Sequence, residues 1–264
     1  MKRSTHGLSI IAGTMATLVM GASVSTAWAQ GGLMNGHPLS ERMRAFGLHL
    51  VEFSDARLKI EANATDGDAG LQVFIDSDPW NSINIFDPNG KLIFRSITRG
   101  RFGKQGGTEL FLESAEPDFS ELPVDEFLER FPEGSYLFTG KGLEGELYIG
   151  RAMLTHNIPE GPVLVSPLEG GALQDPNDTV VMWESVDPAN GSPMIGYQVL
   201  VVQSDSSFPA LPKIVLDVMM PATATSMAVP PGFLLPNTDY EWEVLAIEAS
   251  GNQTLSSSFF RTAP

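Results

Sequence analysis

The chain has 264 residues with 32 acidic and 16 basic side chains, which gives a formal net charge of −16 at pH 7, and it has no cysteine. A chain this acidic repels nucleic-acid phosphates and anionic membrane surfaces, which argues against nucleic acid as a partner. Without cysteine there are no disulfide bonds, no cysteine-linked lipid anchor and no thiolate ligands for zinc. The length favours two domains of about 100 residues each, and the acidity is most simply explained by solubility.

The N-terminus has the features of a secretory signal peptide. Lys2 and Arg3 supply positive charge, residues 8–24 form an apolar run, and Ala27 and Ala29 are small residues at the two positions that a signal peptidase reads. Glycines interrupt the apolar run, which is too short for a membrane-spanning helix. We therefore expect residues 1–29 to be removed, with no stable membrane insertion afterwards. Export without disulfide bonds favours the periplasm or the exterior of a bacterium.

The segment that follows, residues 30–55, is expected to be a flexible tail, because its first part is rich in glycine and polar residues. Within it, Ser40 could cap a short helix whose apolar positions would be Met43, Phe46 and Leu50. A glycine inside this segment weakens the helical pattern.

Residues 56–158 predict an immunoglobulin-like β-sandwich with one short helix, because short alternating segments follow one another at regular spacing. The predicted strands lie at residues 57–62, 71–75, 83–85, 92–94, 108–113, 134–138 and 146–155. Asn89-Gly90 is a strong signal for a hairpin turn, and residues 99–107 predict an exposed mobile loop. The helix is expected at 122–131, where Phe127 contributes to an apolar stripe. The run FPEGSYLFTGKGLEG at 131–145 is similar to the closing hairpin of many bacterial immunoglobulin-like modules.

Residues 159–264 contain the most informative pattern of the chain. Tyr240, Trp242 and Val244 alternate with glutamates at the period of a strand, and an L-x-P-x-T-x-Y run from Leu234 to Tyr240 precedes them. That run is the sequence form of a tyrosine corner. The segment resembles strand F of a fibronectin type III module. The resemblance implies strands A to G at residues 163–166, 179–184, 195–203, 213–218, 225–229, 238–247 and 255–262. It is a resemblance in fold and not in function, because such modules serve adhesion, enzyme scaffolding and spacing alike.

The prolines at 159 and 162 predict a short, stiff connector between the modules. In the fibronectin type III arrangement this connector would lie beside Met219, Met220 and Pro221, so we predict that those residues contact the first module through flexible apolar side chains. The alternative is that one methionine fills the core and the other is exposed. The opposite end of the module would then be free for an external partner; its apolar residues are Phe208, Leu211 and Phe233.

Sequence patterns for catalysis are weak. Two acidic pairs could act as acid and base, Asp76 with Asp78 and Glu126 with Glu129, but both lie beside turns or on solvated faces. No nucleophile elbow, phosphate loop or dinucleotide motif is present. The histidines of the mature chain (His37, His49 and His156) show no zinc-ligand spacing, and are expected at surfaces or edges. We predict no catalytic residue and no cofactor.

A calcium-like start occurs at Asp66-Gly67-Asp68, followed by Ala69 and Gly70, because hard cations prefer oxygens from alternating positions. The segment lacks the further acidic ligands of an EF-hand loop, and we interpret it as an acidic turn. No metal site is therefore predicted, and a chelator is expected to leave the melting temperature unchanged. Trp80 could stack on a sugar, but without a partner aromatic nearby the core is favoured.

The sequence as a whole indicates an exported, non-enzymatic protein that binds or spaces a partner, protein or polysaccharide, at the bacterial envelope or outside the cell. One alternative is a carboxylate-dependent hydrolase, such as a glycoside hydrolase or its accessory module. The other is a calcium-dependent adhesive module.

Overall fold

The computed structural model describes residues 49–188, 190–203, 210–211 and 213–264. The expected signal peptide, most of the expected tail with its helix, His37 and Phe208 lie outside the described residues. The described part is all-β apart from two short helices, as predicted, and forms two β-sandwich modules. The boundary near residue 159 remains a proposal.

Seven strands and both helices belong to the first module, and most of them lie where alternation predicts them. They are β1 (Leu50–Glu52), β2 (Asp55–Asn63), β3 (Asp68–Phe86), β4 (Leu92–Ile97), α1 (Gly100–Gln105), β5 (Gly107–Glu113), α2 (Val124–Arg130), β6 (Gly134–Gly142) and β7 (Leu147–Leu154). The Asn89-Gly90 turn is confirmed: Asp87 donates its backbone N–H to Lys91, and Gly90 has a φ of 78°, which favours glycine.

β3 connects the two layers of this sandwich. Its first half pairs with β2 and β5, its second half pairs with β4 and β6, and the register shifts around Trp80. The two halves contribute Ile75 and Ile83 to one continuous buried core. Trp80 is buried in that core, as predicted. Gly107 lies against the indole, because a Cβ at this position would come 2.7 Å from Cζ2 of Trp80.

Two local predictions in this module are wrong. Residues 99–107, predicted as a mobile loop, include α1, in which Gly103 and Gly106 donate N–H groups to the carbonyls of Arg99 and Phe102. Leu50, assigned to the tail or helix, instead begins β1, which pairs in parallel with β7. The helix predicted at 122–131 is confirmed as α2 and buries Phe127. Within the described residues, neither helix has the length and apolarity to cross a bilayer.

The second module has the seven strands that the fibronectin type III resemblance implies. They are β8 (Leu164–Ser166), β9 (Val180–Trp183), β10 (Met194–Gln203), β11 (Ile214–Pro221), β12 (Ser226–Ala228), β13 (Asp239–Glu248) and β14 (Gln253–Arg261). They form one layer in the order β12-β9-β8 and another in the order β14-β13-β10-β11. These are the A-B-E and C′-C-F-G sheets of that fold. Trp183, Tyr197 and Trp242 meet in the core between the layers.

The predicted tyrosine corner is also confirmed. The hydroxyl of Tyr240 accepts the backbone N–H of Leu235 at 2.8 Å, and the ring stacks on Phe260 with a centroid distance of 5.5 Å. Phe233 contacts the same ring at 6.4 Å and packs against the core. It is therefore not the free loop residue that the sequence predicted.

Replacing Tyr240 with phenylalanine should lower the free energy of unfolding by roughly 1 to 3 kcal/mol, because the N–H of Leu235 loses its acceptor while the ring packing remains. Urea unfolding of the two proteins measures the difference. The exposed Phe259→Leu variant serves as a control and should stay close to the wild type. Equal unfolding midpoints for Tyr240→Phe and the wild type would contradict a role for the hydroxyl.

The two modules share one sheet. β14 pairs in parallel with β2, with Gln253 opposite Glu61 and Leu255 opposite Asn63. The resulting path of strands is β1-β7-β6-β3-β2-β14-β13-β10-β11. The modules therefore join by backbone hydrogen bonds and not only through the connector.

This pairing overturns the predicted contact through Met219, Met220 and Pro221. These residues lie in β11, the edge strand of the second module, which is separated from β2 by β14, β13 and β10. Met219 is 63% exposed, whereas Met220 packs on the module's own core. The alternation of a strand thus gives the two methionines opposite environments, which is the alternative that the sequence left open.

Candidate functional site at the module junction

A row of polar side chains crosses the shared sheet where β14 meets β2. Glu61 is buried and accepts a hydrogen bond from the side-chain amide of Gln253. The ammonium group of Lys59 donates to the side-chain oxygen of the same glutamine, Oε1 of Gln253, at 2.7 Å. On the next strands Gln72 donates to Oε1 of Glu113 at 2.8 Å. The register explains the row, because Gln253 lies opposite Glu61, Lys59 opposite Gln72, and Gln72 opposite Glu113.

Carboxylates concentrate at one end of this row. Glu61, Glu113 and Glu116 each offer an oxygen, and these oxygens lie within 4.8 Å of one another. Burial, followed by the neighbouring charge of Glu113, raises the pKa of Glu116 from 4.5 to about 7. Burial and the charge of Asp66 raise the pKa of Asp68 from 3.8 to about 6. Burial is therefore the main reason why these two carboxyl groups hold their protons more tightly, and neighbouring carboxylates add to the effect.

The pKa values of the two partners in the row shift in opposite directions. Burial raises the pKa of Glu61, although the charge of Lys59 opposes the rise. Burial lowers the pKa of Lys59 from 10.5 to about 8, although Glu61 opposes the fall. For both groups, loss of water outweighs the attraction between them.

Glu61, Glu113 and Glu116 are the residues of the described part whose geometry could hold a hard cation, because carboxylate oxygens are its preferred ligands. The sequence pointed to Asp66 and Asp68 near this place but missed these three glutamates. The arrangement can concentrate cations near the junction. An acidic cluster by itself assigns no ion.

The predicted catalytic pairs do not join this cluster. Asp76 lies four residues along β3 from Gln72, which is opposite Glu113, and is therefore about 13 Å from the cluster along the strand. Asp78 is exposed, and so are Glu126 and Glu129 on α2. Two surface depressions of the first module contain a single carboxylate, that of Asp87. That carboxylate accepts the backbone N–H groups of Asn89 and Lys91 in the hairpin turn.

A second polar network fastens the two modules together. Asn252, 1% exposed, accepts the backbone N–H of Ile60 at 2.8 Å. Its side-chain amide donates to the carbonyls of Thr155 and Asn157 at 2.8 and 3.1 Å. One side chain therefore ties the β13–β14 turn to β2 and to the connector.

Glu248 completes this network from the end of β13. It is fully buried and accepts hydrogen bonds from the hydroxyls of Ser192 and Ser250. It also accepts the backbone N–H groups of Ser250 and Asn252, at 3.0 and 3.2 Å. These donors offset the loss of water around a buried carboxylate.

His156 has a structural role at the end of the first module. Its ring Nε2 lies 2.8 Å from the carbonyl oxygen of Phe131, and its backbone N–H donates to Glu133 at 2.6 Å. His49, at the first described position, is exposed. His49 is exposed, as predicted, whereas His156 is half-buried, and neither histidine belongs to the glutamate cluster.

No family model matches the chain, and neither does any curated protein. Among solved structures, fibronectin(III)-like modules of CbhA from Clostridium thermocellum are 9% identical, with 80% of this chain and 93% of that chain covered and a TM-score of 0.33. The FN1–FN3 domains of chicken CNTN1 are 14% identical, with 82% and 69% covered and a TM-score of 0.31. A structure from a 1.5-MDa bacterial ice-binding adhesin is 12% identical, with 79% and 64% covered and a TM-score of 0.27. Independently of these similarities, the strand order and the tyrosine corner identify the second module as a fibronectin type III fold.

Proposed function

We propose that the protein is an exported, non-enzymatic binding or scaffolding protein of the bacterial envelope or exterior, whose two modules act as one rigid presenter of surface loops. The pairing of β2 with β14 carries this proposal, because hydrogen bonds between strands fix both the distance and the angle between modules. The partner is a protein or a polysaccharide.

The connector supports a rigid junction. Gly161 lies where a Cβ would come 2.4 Å from Cβ of Ala64 and 2.7 Å from Oγ of Ser256, so the connector passes tightly between the two modules. The N–H of Ala64 also donates to the carbonyl of Leu255 at 2.8 Å. Modules joined only by a flexible linker lack such contacts.

The hydrolase alternative has less support. Asp78, Glu126 and Glu129 of the acidic pairs that motivated it are exposed, and the glutamates that do converge lie on a sheet face beside a half-buried lysine, Lys59. Paired catalytic carboxylates need a concave site that holds the substrate between them.

Rigid presentation is tested by cosedimentation of the protein with isolated bacterial envelopes and with insoluble polysaccharides. The expected result is binding to one of these fractions, and binding at least severalfold weaker for the Asn252→Ala variant, in which the modules should be uncoupled. The exposed Asn177→Ala variant is the matched control and should bind as the wild type does. Absence of the protein from every pellet would contradict the binding role, and equal binding of Asn252→Ala would contradict rigid presentation.

A further inference from the structure

Basic side chains lie on the outer face of one layer of the first module, which is formed by β4, the second half of β3, β6 and β7. Ile83 and Phe138 point from this layer into the core, so the residues next to them in sequence face outward. Arg95 on β4, Lys141 on β6 and Arg151 on β7 are exposed and lie on this outer face. Three strands therefore each contribute one cation to the same surface.

The register of the strands arranges these cations in three successive rows, which together form the basic face. Neighbouring rows are two residues of β6 apart, about 6.7 Å along the strand, and each row contains one cation. The rows are Ile97-Ser82-Lys141-Leu147, Arg95-Asn84-Thr139-Ile149 and Phe86-Leu137-Arg151.

The three cations of the basic face form no ion pair with the described residues. The ion pairs of that part of the chain join Arg57 with Asp55 and Arg261 with Asp239. Arg95 donates from Nε to the side-chain oxygen of Asn84 at 2.6 Å, and Arg151 donates to Oγ of Ser135 at 3.4 Å. These acceptors are neutral, so the positive charges remain available to a partner.

The surroundings of the basic face strengthen its charge. α1 follows β4 and carries Arg101 and Lys104 but no acidic residue, and Arg99 precedes it; all three are exposed. The carboxylates of this layer lie at its margins: Glu52 on the edge strand β1, Glu144 and Glu146 in the β6–β7 turn, and Asp87 in the β3–β4 turn. The centre is therefore positive in a chain whose net charge is −16.

Hydroxyl and amide groups lie between the cations. Ser82, Asn84 and Thr139 are half-buried and line a shallow depression together with Lys141. The second depression, lined by Arg151 among others, follows on the same strands. The two depressions therefore form one shallow polar groove along β3, β6 and β7.

This composition favours a sugar chain over a protein as the occupant. Protein interfaces depend on apolar and aromatic anchors near their centre, whereas the exposed Ile97 and Met153 lie at the margins of the basic face. A second copy of this chain also has a net charge of −16 and is repelled. Sugar hydroxyls can hydrogen-bond to hydroxyl and amide side chains, and Arg and Lys bind acid groups.

We propose that the basic face binds a polysaccharide of uronic acids, whose chain lies along β6 with its carboxylates at Lys141, Arg95 and Arg151. One cation in each row matches a polymer that carries a single charge on each sugar. The acidic remainder of the protein does not prevent this contact, because salt screens charges beyond about 8 Å at physiological ionic strength. This inference rests on the proposed binding function and names the class of its partner.

Calorimetric titration of the mature chain with polygalacturonate tests the proposal, with dextran as a neutral polysaccharide and poly-glutamate as an acidic polypeptide. The expected result is binding of polygalacturonate at least severalfold tighter than binding of either other polymer. Equal binding of dextran would overturn the role of the cations. Equal binding of poly-glutamate would overturn the choice of a sugar chain and would indicate an acidic protein instead.

Charge variants locate the binding site. Lys141→Glu with Arg151→Glu should weaken polygalacturonate binding by about tenfold or more, because two attractive contacts become repulsive. Arg130→Glu with Arg261→Glu is the matched control: both residues are exposed, the net charge changes equally, and binding should stay close to that of the wild type. Equal losses in the two double variants would mean that net charge alone controls binding, and would overturn the assigned face.

A neutral variant tests the groove between the cations. Thr139→Val keeps the shape of the side chain and the charge of the face but removes a hydroxyl, so polygalacturonate binding should weaken severalfold. Thr108→Val, at an exposed position of β5, is the control and should bind as the wild type does. Unchanged binding of Thr139→Val would contradict hydrogen bonding of the sugar in the groove.

Cosedimentation with bacterial envelopes separates this inference from the proposed function. If Lys141→Glu with Arg151→Glu pellets with the envelopes as the wild type does, the basic face is not the binding site, although the binding function stands. If the wild type neither pellets with any fraction nor binds polygalacturonate, both proposals fail. Loss of the double variant from the pellet, with its matched control retained, is the result expected here.

Discussion

Replacing Asn252 with alanine is expected to uncouple the two modules and to lower the free energy of unfolding by about 3 to 5 kcal/mol. One buried backbone group, the N–H of Ile60, and two half-buried groups, the carbonyls of Thr155 and Asn157, lose their partner at once. Each buried group left without a partner costs roughly 1 to 3 kcal/mol. The wild-type chain should melt in one cooperative transition, and the variant in two, because each module keeps its own core.

Differential scanning calorimetry of the mature chain measures both effects. Asn252→Asp keeps the acceptor for Ile60 but removes the two donated hydrogen bonds, so it should also separate the transitions. Asn177→Ala, at an exposed turn, should melt as the wild type does. A single unshifted transition for Asn252→Ala would show that the network does not hold the modules together.

The second module could be predicted strand by strand because its signals are local. The tyrosine corner joins Tyr240 to Leu235, five residues apart, and both lie within one sequence motif. Strand alternation in β13 likewise needs only ten consecutive residues. Patterns of this range can be recognised without knowing what the rest of the chain does.

The junction could not be predicted for the opposite reason. Asn252 and Ile60 are 192 positions apart, and so are Gln253 and Glu61. An asparagine and a glutamine in a turn between strands have ordinary local explanations. In the sequence, Glu61 alternates with apolar residues and is therefore read as part of the solvent-exposed face of an edge strand. Only the pairing of β2 with β14 gives these residues their role.

The predicted contact of Met219 and Met220 with the first module was wrong for a similar reason, because it also depended on which strands of the two modules pair. The connector does lie at the end of the module that the resemblance implied, since Thr155 and Asn157 contact the turn that follows β13. Several loops share that end, however, and the first module adds to β14 instead of contacting β11. An unpaired strand edge offers a row of backbone hydrogen bonds.

The protein is expected to become more stable as the pH falls from about 8 to about 5.5. Burial, with the charge of Glu241 next, raises the pKa of Glu243 from 4.5 to about 7. The folded pKa lies above the unfolded one, so the folded state binds the proton more tightly, and stability increases as the pH falls through 7. Glu116 and Asp68 act in the same direction in the same window. Lys59, with its pKa near 8, affects stability mainly at higher pH.

For Glu243, a pKa raised from 4.5 to about 7 corresponds to about 3 kcal/mol over the whole titration, of which about 2 kcal/mol falls between pH 8 and pH 5.5. Water screens Glu116 and Asp68 more, so their contributions are smaller. Urea unfolding at about pH 8 and pH 5.5 gives the difference in the free energy of unfolding.

The Glu243→Gln variant should be more stable than the wild type at the higher pH and should show a flatter pH dependence, because the buried carboxylate is gone. Glu126→Gln, on the exposed face of α2, should keep the full dependence. If the free energy of unfolding of the wild type is lower at pH 5.5 than at pH 8, the buried carboxylates are neutralised by a partner. A cation bound at Glu61, Glu113 and Glu116 would be tested first, by repeating the titration with a chelator.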